Sequence, residues 1–536
     1  MADFAQIPML PALVPVILIL GYILAFVGRR PKDCPPGPPT LPIIGNLHQI
    51  PKKDIHLSYQ AWGEKYGPIF SLQLGQQTVI VLTKGEVVKQ ALDKKSTNFS
   101  DRPALYMREV WEDSRIIMRG YTYDNLWKVE RKLYHLFLNS SIVHKYAPYQ
   151  SLETKKLCFD LLEKPALFFD HIGRMTSSIS TSMTYGTRIS SPDAQILKTL
   201  NETAGGFFRL VNGSQFFDWY PGFRGIGRKL PLCLNPWARQ GTAVYHKERA
   251  HFRQLFEETR NRLDPSTLPS FVSDICHAQK TWKDPSLLTD HAASYIAGVA
   301  FEAGSDTQRS TLIAFFKVMA LFPETQSRAQ KELDDVLGDS FPEYGDLSRL
   351  PYIRCLTKET LRWMPAAING GFPRATRNAD ELGGYRIPAG ATVVQAVWSC
   401  NNDPLKYDDP RLFNPGRHNP NLSIGQAAVA SDVKDRDSWA FGSGRRICPG
   451  LHLAEQTLYL AIARILWTFD ISHAKDQQGV EIPIEMGAVT QSIVATAAAV
   501  SVCVRYSPGQ RNGPRWSVMR GRRRKRSCWV RMATIG

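Results

Sequence analysis

Phe441-Gly442-Ser443-Gly444-Arg445-Arg446-Ile447-Cys448-Pro449-Gly450 stands directly before an apolar run whose spacing predicts a helix over about 450–468. A cysteine at that place meets the unpaired N–H groups and the positive dipole end of the helix, which stabilise a thiolate. Gly444 and Gly450 let backbone approach a flat ligand closely. Arg446 is a fixed cation suited to a carboxylate. A thiolate cradled by N–H groups beside such an arginine fits an axial ligand to haem iron. Taken alone, Cys448 reads first as a buried structural cysteine, the commonest role of a lone one.

Outward from this loop, helical spacing dominates at about 124–140, 151–163, 240–263, 286–318, 323–337 and 352–364. Two short strands flank Gly75, in Ile69–Leu74 and Gln77–Thr83, and a second β-like stretch runs from Tyr385 to Val397 around Pro388-Ala389-Gly390. The fold class is mainly α with a small β portion. No repeat and no linker divides the body, which reads as one catalytic domain over 31–506. Residues 205–227 mix seven aromatics with six glycines and read as core or as a membrane-dipping lid over a substrate entrance.

The ten residues around Cys448 match F-x-x-G-x-R-x-C-x-G, so the chain resembles the cytochrome P-450 superfamily of haem-thiolate monooxygenases. Companion motifs follow in order. Ala303-Gly304-Ser305-Asp306-Thr307 is similar to the family's distal-helix motif, with Gln308 where many relatives carry a second Thr or Ser. Glu359-Thr360-Leu361-Arg362 resembles E-x-x-R, whose i,i+3 spacing puts both side chains on one helix face. Arg417-His418 stands for the family's P-x-R-F element, with Gly416 for the usual acid and His418 for the terminal aromatic. Trp127-Lys128-Val129-Glu130-Arg131 looks like W-x-x-x-R, which pairs two pure donors. Ser100-Asp101-Arg102 and Phe372-Pro373-Arg374 resemble further propionate-binding segments.

The resemblance implies a haem b whose iron is held by Cys448. Phe441, Trp127, Arg102, Arg131, Arg374 and Arg446 would surround it and bind its propionates, and Thr307 with Asp306 would guide protons to dioxygen. It implies oxidation of a small lipophilic molecule in the style of fungal secondary-metabolite enzymes. Gly222-x-x-Gly225-x-Gly227 has the wrong spacing for a dinucleotide site. Electrons then come from an NADPH-cytochrome P-450 reductase in the same membrane, with cytochrome b5 as a further donor. Arg445, Lys128 and Lys132 are docking cations for the reductase. A haem-thiolate isomerase or dehydratase needing no reductase, or a non-catalytic haem binder, would not need the acid–threonine pair.

Among 536 residues, 43% are apolar and 21% charged, which excludes wholesale disorder. Net charge is +17, but residues 505–536 hold ten basic side chains and no acid, leaving +7 for the rest. A terminal basic run reads as a solvated, disordered tail over 507–536 and not as a nucleic-acid arm. From Arg511 the tail resembles nothing in the family and reads as an extension or a gene read past its proper end. Nine cysteines with no C-x-x-C pair argue against a disulfide framework or a zinc finger. Ile7 to Val27 carries no charge and, as a helix, would span a bilayer. Arg29-Arg30-Pro31-Lys32 then stays cytosolic. The expectation is an anchor over 1–30, single-pass in the endoplasmic reticulum membrane, with Cys34-Pro35-Pro36-Gly37-Pro38-Pro39 as a rigid spacer to a cytosol-facing body.

Overall fold

Helices carry most of the chain in the computed structural model, which describes residues 21, 24–110, 125–264, 269–498 and 500–507. In chain order the longer elements are α1 (Ile55–Tyr66), β1 (Ile69–Leu74), β2 (Gln77–Leu82), α2 (Asn125–Leu138), α3 (Ala147–Glu163), α4 (Phe168–Tyr185), α5 (Gln195–Gly213), α6 (Pro236–Asn261) and α7 (Phe271–Thr281). They continue as α8 (Asp290–Leu321), α9 (Pro323–Leu337), α10 (Pro351–Trp363), β3 (Arg374–Ala375), β4 (Asp380–Leu382), β5 (Tyr385–Ile387), β6 (Thr392–Gln395), α11 (Leu451–Thr468), β7 (Phe469–His473) and β8 (Val502–Tyr506).

The axis of the fold is α8. It is apolar on all sides and buried along most of its length, as a helix without a polar face must be. The α4 helix packs along it, α3 packs on α4, and α11 packs against α3. Close approach is bought at glycine: a Cβ at Gly298 would lie 2.3 Å from the Phe252 ring of α6. Two of its neighbours, α4 and α7, and α5, which packs on α6, lie outside the helical stretches legible in the sequence. In α4, Thr176, Ser177, Ser178, Ser180, Thr181, Ser182 and Thr184 are poor helix formers, yet all are buried against other helices. Thr181 Oγ1 donates back to the Ser177 carbonyl at 2.9 Å, which is how a hydroxyl is satisfied inside a helix.

The main sheet has the order β1-β2-β6-β3. β1 and β2 are an antiparallel hairpin around Gly75 (φ +58°), β2 pairs parallel with β6 from Val79↔Thr392 to Leu82↔Gln395, and β3 closes the edge antiparallel. The stretch 385–397 is β5, a turn and β6, and the chain turns helical from Val397. β4–β5 and β7–β8 form two small antiparallel pairs.

Residues 205–227, read as core or lid, are largely helical: 205–213 end α5, and short helices follow at Gln215–Trp219 and Arg224–Lys229. The proline segment, expected as a rigid spacer, is tied to the body. It lies along β1, with the Ser71 amide donating to the Pro36 carbonyl at 2.8 Å and Arg30 Nε to Ser71 Oγ at 2.9 Å. The expected anchor falls almost wholly outside the described residues, as does the tail beyond Ser507. Among the described residues no helix is long and apolar enough to cross a membrane.

Candidate functional site: a cysteine loop beside an arginine cluster

Cys448 ends the loop that feeds α11. Its amide donates to the Phe441 carbonyl at 2.9 Å, which folds the ten residues back on themselves. Phe441 packs against the main core, so the loop is tethered at its start. Gly442 and Gly444 take φ of +74° and +58°. A Cβ on Gly444 would lie 1.7 Å from the Leu92 carbonyl oxygen, so its freedom serves the approach of the loop to neighbouring backbone and not to a flat ligand. The Cys448 side chain is half-buried and its thiol is free. Burial pushes that thiol up, while the Gly450 N–H at the start of α11 and the Arg131 guanidinium pull it down. A soft sulfur with one donor turned toward it and an open side is a ligand position for a soft metal.

Four arginines converge beside the loop. Arg446 Nε donates to the Ser100 carbonyl at 3.0 Å, and its guanidinium lies 4.3 Å from the centre of the Trp127 ring. Arg374 Nη2 donates to the Ser443 carbonyl at 2.6 Å and leaves Nη1 buried without a partner. Arg102 Nη1 donates to the carbonyls of Phe372 and Pro373 at 2.7 and 2.9 Å, and its Nε is unpartnered. Arg131, on α2, makes no hydrogen bond or ion pair among the described residues. Burial pushes Arg102, Arg374 and Arg446 down to about 9, and a neighbouring arginine adds to the fall in each case. Buried like charges of this kind persist where an anion completes them. Two nearby acids are spent elsewhere, Asp101 pairing with Arg377 at 3.1 Å and Asp93 with Arg436, which leaves Glu130 of α2 as the acid that offsets the cluster. Free guanidinium donors beside a ligand-competent thiol fit a haem with two propionates, and Trp127, Arg102, Arg131, Arg374 and Arg446 come together as the motifs imply.

Thr307 and Asp306 stand on α8. There the otherwise buried helix presents Ala303 exposed and Gly304, Asp306 and Thr307 half-buried. Thr307 Oγ1 donates to the Ala303 carbonyl at 2.8 Å, which leaves its lone pairs as acceptors. Asp306 is pushed up by burial and pulled down by Arg309 one turn on. Gly304 does not make room for a ligand. A Cβ there would lie 2.5 Å from Ser180 Oγ, so it serves the packing of α4 on α8.

Behind the loop, Glu359 accepts from Arg362 Nε and Nη2 at 2.7 and 2.8 Å and from Arg417 Nε at 3.1 Å. His418 continues the network, its Nε2 2.7 Å from Glu359 and its Nδ1 3.1 Å from Asp437. Lys358 pairs with Asp437 at 2.7 Å. Asp437, Lys358, Arg309 and Glu130 were not singled out in the sequence. Glu130 alone carried a readable signal, being three residues after Trp127 on one helix stripe.

The family model of cytochrome P450 matches residues 35–497. The chain belongs to the cytochrome P450 family. It is 41% identical to the cytochrome P450 monooxygenase virE of Hypocrea virens, over 86% of this chain and 84% of that protein. It is 38% identical to the cytochrome P450 monooxygenase fogE of Aspergillus ruber, over 87% and 85% of the two chains. It is also 38% identical to the cytochrome P450 monooxygenase fsoB of Humicola fuscoatra, over 86% and 87%. With the family come a cysteine-ligated haem, a redox partner, a small lipophilic substrate and the monooxygenase class of oxidoreductase.

Proposed function

We propose that this P450 oxidises a lipophilic small molecule of fungal secondary metabolism, in one domain spanning 31–506, with Cys448 as the iron ligand. The observation that carries the reading is the half-buried Cys448 thiol, facing the Gly450 N–H, beside arginines whose donors find too few acids among the described residues. When bound, the haem supplies reductive activation of dioxygen and insertion of one oxygen atom into the substrate. Everything else is the work of this chain. The Gly450 N–H and the start of α11 stabilise the thiolate. Arg102, Arg131, Arg374, Arg446 and the Trp127 indole orient two propionates. Phe441 holds the loop against the core. Thr307 accepts a hydrogen bond from a donor at the open face of α8, and the Asp306 carboxyl stands one residue away.

The electron donor is an NADPH-dependent reductase, with cytochrome b5 as a further donor. Lys128, Lys132 and Arg445 are exposed for docking. The site of action is the cytosolic face of the endoplasmic reticulum membrane, reached through the apolar segment 7–27. Support for a lipid-facing side comes from exposed Phe216, Phe223, Ile226, Leu232 and Leu234 beside exposed Leu41 and Ile43, joined where Tyr220 Oη donates to the Ile43 carbonyl at 3.2 Å.

The test is the absorption spectrum of reduced, carbon-monoxide-treated membranes holding the chain or Cys448→Ala. A strongly red-shifted Soret band lost in the variant is expected. Its absence from folded, haem-supplemented protein would refute the thiolate assignment.

A further inference from the structure

His418 is buried between two carboxylates, 5% exposed. Its Nε2 lies 2.7 Å from Glu359 Oε2, and its Nδ1 lies 3.1 Å from Asp437 Oδ1. A neutral imidazole carries one N–H and one lone pair, so it donates to only one of two such acceptors. Its lone pair would then stand against a carboxylate oxygen with no proton between them. Neither carboxylate supplies that proton. Glu359 accepts from Arg362 on both oxygens, at 2.7 and 2.8 Å, and from the Asn414 amide and Arg417 Nε besides. Asp437 pairs with Lys358 at 2.7 Å. Burial pushes Asp437 up, but the hydrogen bond from His418, with Lys358 beside it, holds the carboxyl below its ordinary range.

We propose that His418 is a doubly protonated positioning residue: as an imidazolium it ties the segment that feeds the cysteine loop to α10, and so fixes where Cys448 stands. The link to Cys448 rests on the haem-thiolate reading of the site, whereas the proton count does not. From Asp437 the chain reaches Cys448 through a series of short ties. The Trp439 amide donates to Asn401 Oδ1 at 2.9 Å, the Gly442 amide to the Trp439 carbonyl at 3.0 Å and the Cys448 amide to the Phe441 carbonyl at 2.9 Å. A phenyl ring, the usual side chain at the position His418 takes in its motif, fills space but donates to neither carboxylate. The charged and titratable groups around the ring are Glu359, Arg362 and Lys358 of α10, Arg417 next in the chain, and Asp437. Cys355 donates to the His418 carbonyl at 3.3 Å and Tyr407 Oη to the Asp437 carbonyl at 3.0 Å. The other three cations share their charge with backbone carbonyls: Arg362 with Asn401 and Pro410, Arg417 with Asp408 and Leu412, and Lys358 with Asn419. Both carboxylates therefore keep an oxygen for the ring.

The experiment counts the ring protons. Proton–nitrogen correlation spectra are recorded on haem-loaded, detergent-solubilised protein with isotope-labelled histidine, in its diamagnetic reduced, carbon-monoxide-bound form. The pH is about 8, where an ordinary imidazole is neutral. His418 is the signal missing from His418→Phe, or, should that variant fail to fold, the one displaced in Asp437→Asn. Both of its nitrogens are expected to carry protons. In parallel, the half-life of the red-shifted Soret band is measured for His418→Phe, Asp437→Asn and the double variant. Each single change is expected to shorten it at least about tenfold, as loss of a buried charged partner does. The double variant should lose no more than either single one, because both cut the same tie. An unprotonated ring nitrogen at that pH, single variants with an unchanged half-life, or losses that multiply in the double variant would overturn the inference. Where His418→Phe holds no haem, the proton count alone decides. Absence of the red-shifted band from the wild type removes the haem-thiolate reading, while the proton count stands or falls on its own spectra.

Discussion

Glu359→Gln tests the buried ion network behind the cysteine loop. Glu359 and Arg362 are both fully buried, and the carboxylate also accepts from the Asn414 amide at 3.0 Å. Burial pushes the carboxyl up, but the hydrogen bonds of Arg362 and His418 outweigh it and hold Glu359 at about 2. Against an ordinary value of about 4.3, that is roughly two pH units, or about 3 kcal/mol at 1.36 kcal/mol per unit. Glutamine keeps the shape but turns an NH2 donor toward guanidinium or imidazole donors and leaves two arginines without their anion. Removing one partner of a buried pair costs about 3–5 kcal/mol. The assay is urea unfolding of detergent-solubilised protein at neutral pH, followed by fluorescence, with haem retention read in parallel. Because the folded value lies below the unfolded one, the contribution is complete above about pH 4.3 and is lost as pH falls toward about 2. The difference between wild type and variant should therefore narrow on acidification. A loss of less than about 1 kcal/mol at neutral pH, or a gap that does not shrink in acid, refutes the view that this carboxylate is the keystone of the network.

Arg374→Gln removes a guanidinium that ties the cysteine loop through Ser443 and keeps a free donor. A charge-assisted bond contributes about 1.5–3 kcal/mol, so haem loss to an excess scavenger protein should speed up by about 10- to 100-fold. Lys317 is wholly buried in α8 and donates to the carbonyls of Ala488 and Ala498 at 3.1 and 3.3 Å. Burial pushes it down to about 8, so between about 8 and its ordinary 10.4 the unfolded chain binds more protons and stability rises with pH. Lys317→Met should abolish that rise in denaturation midpoints measured across the window.

The cofactor loop was legible because its chemistry is local. A cysteine, two glycines and an arginine at fixed spacing before a helix announce themselves without any long-range contact. The long apolar helices were legible for the same reason: α8, α9, α10 and α11 carry their own periodicity. The hydroxyl-rich α4 was not, because its helicity is imposed by burial between α8 and α3, against the preference of Ser and Thr. Gly304 and Gly444 were visible as glycines, but their partners, Ser180 and Leu92, lie far away in sequence.

By itself, then, the amino-acid sequence determined the family, the mainly helical class, and the cysteine loop with the arginine motifs that make up the candidate site. Only the tertiary structure decided that Arg102, Arg374 and Arg446 are tied to backbone beside the cysteine loop, that His418 bridges Glu359 and Asp437, and that the proline segment lies along β1. Motif spacing reports on neighbours within a turn or two of chain. Charge balance in a buried site is a sum over segments separated by hundreds of residues, and it exists only once folding has brought them together.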